Sequence, residues 1–459
     1  MKALLERLRL PALAVLAAAA PLGAWLKLGV PLAGVKGAVA VGAFDLAVWP
    51  ALALVVLLRL LREGPRGVLR LAARAPSAGW LLLALAAWSG LAWPRLAGTP
   101  PVALAAVAKE LVQIAEYGVV ALVVAAELAG DDGRGRRMAL GILGALAGVI
   151  VIWGAAQYFG GRSDFEVGSL LGNRNALGAF LAVMVPFAAA LALGRSGCCC
   201  WWNAAWGLLA AGGTLLALSG GAVLGIACGT LAGAALLGRR KLAVAAAALV
   251  VFLAAGQALG RHNLSAALDS VRLERKNPRT GEMVLALRYL RYGSELNVLR
   301  LGLSGEQAGK LCFGLGPGGY DREKTFRPNL DSRFVETSGQ TDTPENYDVL
   351  ANEPNSFDLW LGQGAQLGAL GLLGFLWLFA WFSGAALRSW RRSAPEDPLR
   401  TVAAGAFGAA VGAAAAGVFT SPWIQGAGPV LVMLVALALG AAGKRPKQPA
   451  GGAPEVVRV

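Results

Sequence analysis

Three charged residues stand where charge is costly. Lys109, Glu110 and Glu116 fall inside a largely apolar stretch that runs from 101 to 128. A charged group within a membrane span normally faces the protein interior or a wet cavity, so each of the three is a candidate functional residue. Lys109 and Glu116 are seven residues apart, two helical turns, and so share a face. Two roles stay open for them, a structural ion pair and a part in substrate access. Asp45 sits alone in an earlier apolar run.

Thiol and imidazole chemistry is sparse, with five cysteines and one histidine in 459 residues. Cys198, Cys199 and Cys200 have no histidine or second cysteine pair beside them, which argues against a zinc site. Cys312 has no partner in its own segment, so no disulfide framework is expected. His262 reads as a surface residue. The glycine-rich turn from Gly314 to Gly319 lacks the preceding strand and following helix of a nucleotide loop, and nucleotide binding is excluded on that ground.

The elements that must position these residues are set by composition. Hydrophobic residues make up 56% of the chain and charged ones 15%, so a water-soluble surface around one core is not available to it. Apolar runs of about twenty residues, the length that crosses a hydrocarbon core, recur from end to end. The predicted fold is all-α, a polytopic transmembrane helical bundle of about twelve spans. They fall at 10–28, 37–58, 77–94, 101–128, 138–158, 175–194, 201–218, 221–238, 242–260, 356–386, 401–420 and 427–443. Four parts follow: spans over 1–260, a large extracytoplasmic loop over 261–353, further spans over 354–443 and a cytoplasmic tail over 444–459. The first span, with Arg7 and Arg9 ahead of an Ala-rich run, is expected to stay rather than leave as a cleaved signal.

The net charge of +15 is not spread evenly. With a cytoplasmic amino terminus, the inside connections hold Arg59, Arg62, Arg66, Arg70 and Arg74, then Arg134, Arg136 and Arg137, then Arg195. They continue with Arg239, Arg240 and Lys241, with Arg388, Arg391, Arg392 and Arg400, and with Lys444, Arg445 and Lys447. The short outside connections hold only Lys27, Lys36, Arg95, Arg162 and Arg174. That asymmetry predicts both termini in the cytoplasm. Anionic membrane lipids, and no nucleic acid, are the expected partners of these clusters. The loop has thirteen basic and thirteen acidic residues, and long loops cross regardless of charge. Small residues from Gly221 to Ala234 and from Ala403 to Val418 are expected to let helix backbones approach closely. Beyond the loop, an amphipathic start near Trp360 followed by an apolar run predicts a helix at the outer interface that turns into the bilayer, with Trp360 at the headgroups.

Three strings carry a family likeness. Gly168-Ser-Leu-Leu-Gly-Asn-Arg-Asn-Ala-Leu-Gly, followed by Pro186, resembles the "GNxN then apolar helix with Pro" signature of the O-antigen ligase and polymerase superfamily. Phe313-Gly-Leu-Gly-Pro-Gly-Gly-Tyr320 resembles its "GxGPGxF" turn, and the helix from Gln366 to Phe375 its "ELGLLGL" segment. The likeness covers roughly residues 100 to 440.

The resemblance implies a glycosyltransferase of the bacterial cytoplasmic membrane, moving glycan from an undecaprenyl-pyrophosphate carrier to a glycan, lipid or protein acceptor at the outer face. No metal and no cofactor is implied. In the family, arginines hold the pyrophosphate, for which the planar guanidinium is suited because it binds phosphate oxygens bidentately. A histidine in an "HN" pair activates the acceptor hydroxyl. Substrate-binding positions carried over are Asn173, Arg174 and Asn175, the loop arginines Arg288, Arg291 and Arg300, and Asn355. The chain departs from the pattern twice. Gly220 stands where the family has an arginine, in Leu218-Ser-Gly-Gly-Ala222. At the "HN" position one register gives Phe357 and Asp358 and the other Pro354 and Asn355, neither with a histidine. Glu353 and Asp358 are the carboxylates left to act as catalytic base. A transporter or binder of lipid-linked or small anionic solutes on the same scaffold is the alternative.

Overall fold

The computed structural model describes residues 2–22, 27–31, 38–74, 84, 112–121, 124, 133–161, 169–171, 174–194, 200–217, 219–258, 274–276, 283–285, 359–419 and 427–439. Helix α1 (Lys2–Leu22) leads into a hairpin of β1 (Lys27–Pro31) and β2 (Ala38–Gly42), and then come α2 (Ala43–Glu63) and α3 (Pro65–Arg74). A short apolar helix follows, α4 (Val112–Ala121). Next are α5 (Arg134–Phe159), a 3₁₀ turn over Ser169–Leu171, α6 (Arg174–Leu193), α7 (Cys200–Leu215), α8 (Gly220–Leu237) and α9 (Arg239–Ala258). A second small hairpin, β3 (Glu274–Lys276) with β4 (Met283–Leu285), precedes α10 (Trp360–Arg392), α11 (Pro398–Ala416) and α12 (Ala427–Leu439). Apart from these two hairpins the described architecture is helical.

Among the described residues seven helices are long and apolar enough to cross a membrane: α2, α5, α6, α8, α9, α11 and the Leu367–Arg392 part of α10. Ile152 and Leu208 are 70% and 74% exposed, and Val250 and Trp377 also point outward. Such large apolar side chains on the outside of a bundle suit lipid rather than water. The protein is membrane-embedded.

The centre of the bundle is made by α6, α8 and α11. In lipid there is no hydrophobic drive between helices, so packing depends on how closely backbones approach. Gly225, Gly229 and Gly233 form a stripe at every fourth position of α8, facing Ala404, Gly408, Gly412 and Ala416 of the antiparallel α11. A Cβ on Gly225 would lie 2.7 Å from both Ala182 Cβ of α6 and the Gly412 carbonyl oxygen. Pro186 of α6 fills the third side, its Cγ 2.6 Å from where a Gly229 Cβ would be. The expectation that these small-residue runs serve helix packing is met.

Helix starts are written locally. Asp397 caps α11 by accepting from the Leu399 N–H at 2.8 Å, with Pro398 as the first helical residue. Ser219 caps α8, its Oγ accepting from the Ala222 N–H at 3.2 Å. Two contacts fix which ends lie together, one between the antiparallel α6 and α11 and one between the parallel α10 and α12. Gly194 at the end of α6 touches Thr401 at the start of α11, and Ser389 Oγ near the end of α10 donates to the Ala438 carbonyl of α12 at 2.7 Å. This end of the bundle gathers Arg388, Arg391, Arg392 and Arg400, with Arg400 stacked 4.5 Å from the Trp390 ring centroid.

Several boundaries differ from the sequence expectation. The runs at 10–28 and 37–58 do not extend as helix through their facing ends, because 27–31 and 38–42 pair as antiparallel strands from Lys27 with Gly42 to Pro31 with Ala38. Pro31 and several glycines break helix there, whereas Val and Ala satisfy hydropathy in either conformation. The run at 201–218 yields a helix of 16 residues, and the basic connection after α2 is itself a helix, α3. The expected span at 77–94 lies outside the described residues except Ala84, and so does most of the loop at 261–353.

Candidate functional site

The string from Gly168 to Asn175 is anchored at Ser169. Its φ of 53° makes it the one non-glycine residue with positive φ among those described. A residue with a Cβ enters that region at a cost and is held there by its surroundings. The hold is visible: Ser169 Oγ donates to the Ile150 carbonyl at 2.6 Å, and the Ser169 N–H donates to Gln157 Oε1 at 2.8 Å. Both partners belong to α5. Leu171 is buried two residues later, and α6 begins at Arg174. Nothing in the sequence marks Ser169, because its conformation is imposed from another helix.

Asn175 is exposed in the first turn of α6. One turn on, Gly178 lies against the cap of α8, with a Cβ there falling 2.7 Å from Ser219 Oγ and 3.1 Å from Ala222 Cβ. The starts of α6 and α8 are therefore parallel and adjacent. Each leaves its first-turn N–H groups pointing to the same end, the positive end of the helix dipole. Gly220, where the family arginine is expected, is the buried first residue of α8.

The segment that leads into the third string, Leu359 and Trp360, arrives at this same end. Helix α10 is broken at Gly368, with φ 74° and ψ −177°. Trp360 and Phe379 are nineteen residues apart, roughly 28 Å along an unbroken helix. Their rings nevertheless meet edge to face at 5.1 Å, so the first part of α10 folds back on the second. The Leu359 N–H donates to the Gly417 carbonyl at 2.7 Å, and Trp360 Nε1 donates to the Ala414 carbonyl at 3.2 Å. The helix is in two parts, as expected, and the Trp360 indole bonds the end of α11. The reason is the Gly-only backbone at Gly368, which carries Trp360 back to the end of α11.

Of the residues expected to form the site, Arg174 and Asn175 are brought to this end beside the start of α8. Asn173, Arg288, Arg291, Arg300, Glu353, Asn355 and Asp358 lie outside the described residues.

A second polar group lies between α2 and α4. Glu116 is fully buried and accepts from Trp49 Nε1 at 2.8 Å. Gln113 Nε2 donates to the hydroxyl of Tyr117, also fully buried, at 2.6 Å, and the Tyr117 ring lies 6.1 Å from that of Phe44. Asp45 is not isolated: its Oδ2 accepts from the Gly42 N–H at 2.6 Å and so ties the start of α2. Lys109 and Glu110 lie outside the described residues, and with them the ion pair considered for Glu116. Among the described residues no His, Cys, Asp or Glu cluster is arranged to hold a metal ion. No known family model and no curated protein matches the chain.

Proposed function

We propose that the protein is a membrane glycosyltransferase resembling the O-antigen ligases and polymerases, acting on an undecaprenyl-pyrophosphate-linked glycan at the outer face of the bacterial cytoplasmic membrane. The observation that carries this reading is convergence. The Ser169–Asn175 string, the Ser219–Ala222 string and the start of α10 are separate in sequence and meet at one end of the bundle, opposite the arginine-rich end. The arginine-rich end is the cytoplasmic one by the positive-inside rule, with about twelve crossings, both termini inside and residues 261–353 outside.

In this reading the acceptor hydroxyl oxygen attacks the anomeric carbon of the donor sugar. The bond from that carbon to the phosphate oxygen breaks, and the pyrophosphate leaves with the electron pair. The hydroxyl proton passes to Glu353 or Asp358 as general base. Arg288, Arg291 and Arg300 neutralise the leaving group, aided by Asn173, Arg174 and Asn175 and by the first-turn N–H groups of α6 and α8. The test is complementation of a strain that lacks its own ligase or polymerase. Restored surface polysaccharide or altered chain length supports the reading, and unchanged polysaccharide with the protein well expressed rejects it.

The buried Glu116 with its Trp49 partner favours a second reading, transport of a lipid-linked or small anionic solute, because an intramembrane carboxylate often serves a translocation path. Flux into vesicles without glycan transfer would select it.

A further inference from the structure

The short helix α3 has the features of a membrane-surface helix, and its geometry is independent of the transferase reading. Exposed apolar side chains run to the end of α2, at Leu57, Leu60 and Leu61. There Gly64, with φ 65°, ends the helix, its N–H donating to the Leu60 carbonyl at 3.0 Å. Pro65 starts α3 at the next residue. Gly67 then packs against the last turn of α2, where a Cβ would lie 2.6 Å from Glu63 Cβ and 2.9 Å from the Arg59 carbonyl oxygen. The chain thus turns sharply at the end of a span-length helix and is held against it, which keeps α3 at the level where that span meets the headgroups.

The composition of α3 suits that level. Its ten residues include no acid. In the sequence Arg66, Arg70 and Arg74 recur every fourth residue, a spacing that at 100° per residue spans about 80° of a helical wheel, and Val68, Leu69, Leu71 and Ala72 fall at positions outside that span. Leu69 is 70% exposed. A helix with a basic stripe, an apolar remainder and a start at a span's end fits the bilayer surface, where an apolar side chain enters the acyl boundary and guanidinium groups meet lipid phosphate. We propose that α3 lies in the plane of the membrane and binds anionic phospholipid headgroups through Arg66, Arg70 and Arg74, with Leu69 inserted.

Hydrogen exchange on the full-length protein tests this, in nanodiscs of phosphatidylcholine alone and of phosphatidylcholine with phosphatidylglycerol. Amides of residues 66–74 should exchange about tenfold more slowly in the anionic discs. The triple variant R66Q/R70Q/R74Q should lose that difference, and R66K/R70K/R74K should keep most of it. Amides of α6 and α8 report whether each variant is folded. Equal exchange in the two lipids, or a triple Gln variant that keeps the difference, overturns the proposal.

Discussion

Gly229 of α8 and Gly408 of α11 touch backbone to backbone: a Cβ on Gly229 would lie 2.5 Å from the Gly408 carbonyl oxygen, and one on Gly408 would lie 2.7 Å from that of Gly229. Neither obstacle is a flexible side chain, so one helix must move if either glycine gains a methyl. The contact holds together the two helices whose starts and ends form the candidate site.

Gly229→Ala and Gly408→Ala should each destabilise the protein by about 1–3 kcal/mol, the usual cost of overpacking. Gly148→Ala in α5, with nothing within 4 Å of the added Cβ, is the control and should be neutral or mildly stabilising. Thermal unfolding in detergent measures all three. Equal melting temperatures for the Gly229 and Gly148 variants would mean the α8–α11 approach is looser than described.

The pair of Trp49 and Glu116 predicts a coupling energy. Trp49→Phe removes one donor from a fully buried carboxylate and should cost about 1–3 kcal/mol. In a Glu116→Leu background the same substitution should cost much less, because the acceptor is gone. A cycle built from Tm values gives the difference, and an additive cycle would show that the 2.8 Å bond contributes nothing.

These cases show which features a sequence carries openly. The helices α5, α6, α8, α9 and α11 were legible within a few residues because apolar composition alone decides what crosses lipid. The hairpin of β1 and β2 was not, since Val and Ala runs score as spans whether they coil or pair. Helix α3 reads in sequence as a basic connection although its arginines already recur every fourth residue. The partner of Glu116 was hidden for another reason: Trp49 is 67 residues away, on a different helix. At the candidate site, the motif around Asn175 was visible, whereas the conformation of Ser169 was not, because two bonds from α5 impose it.

Ser169 therefore predicts a split between position and chemistry. Ser169→Ala removes the bond to the Ile150 carbonyl and should cost about 1 kcal/mol of stability. Under the proposed function it should also lower glycan transfer, by letting the Asn175 region shift. Asn175→Ala should lower transfer with no loss of stability, since Asn175 is exposed. Surface glycan normalised to expressed protein, read beside Tm, separates the two. If both variants transfer at the parental rate, the string has no part in the reaction.

Gly368 offers the sharpest test of how the start of α10 reaches the site. Its φ of 74° and ψ of −177° lie in a region open to glycine and closed to residues with a Cβ, so Gly368→Ala should cost about 1–3 kcal/mol. The strain has one simple release, straightening the helix. That would draw Trp360 away from Phe379 and from the Ala414 carbonyl. Trp360→Phe gives up only the indole bond and keeps the ring contact, and so should cost about 1 kcal/mol. Crosslinking by a short bis-maleimide between Cys residues placed at 360 and 379, in a background without the native cysteines, should be efficient when Gly368 is kept and poor once Gly368→Ala is added. Equal crosslinking in both would mean that the fold-back does not depend on the glycine, and that contacts around Leu359 and Gly417 hold it instead.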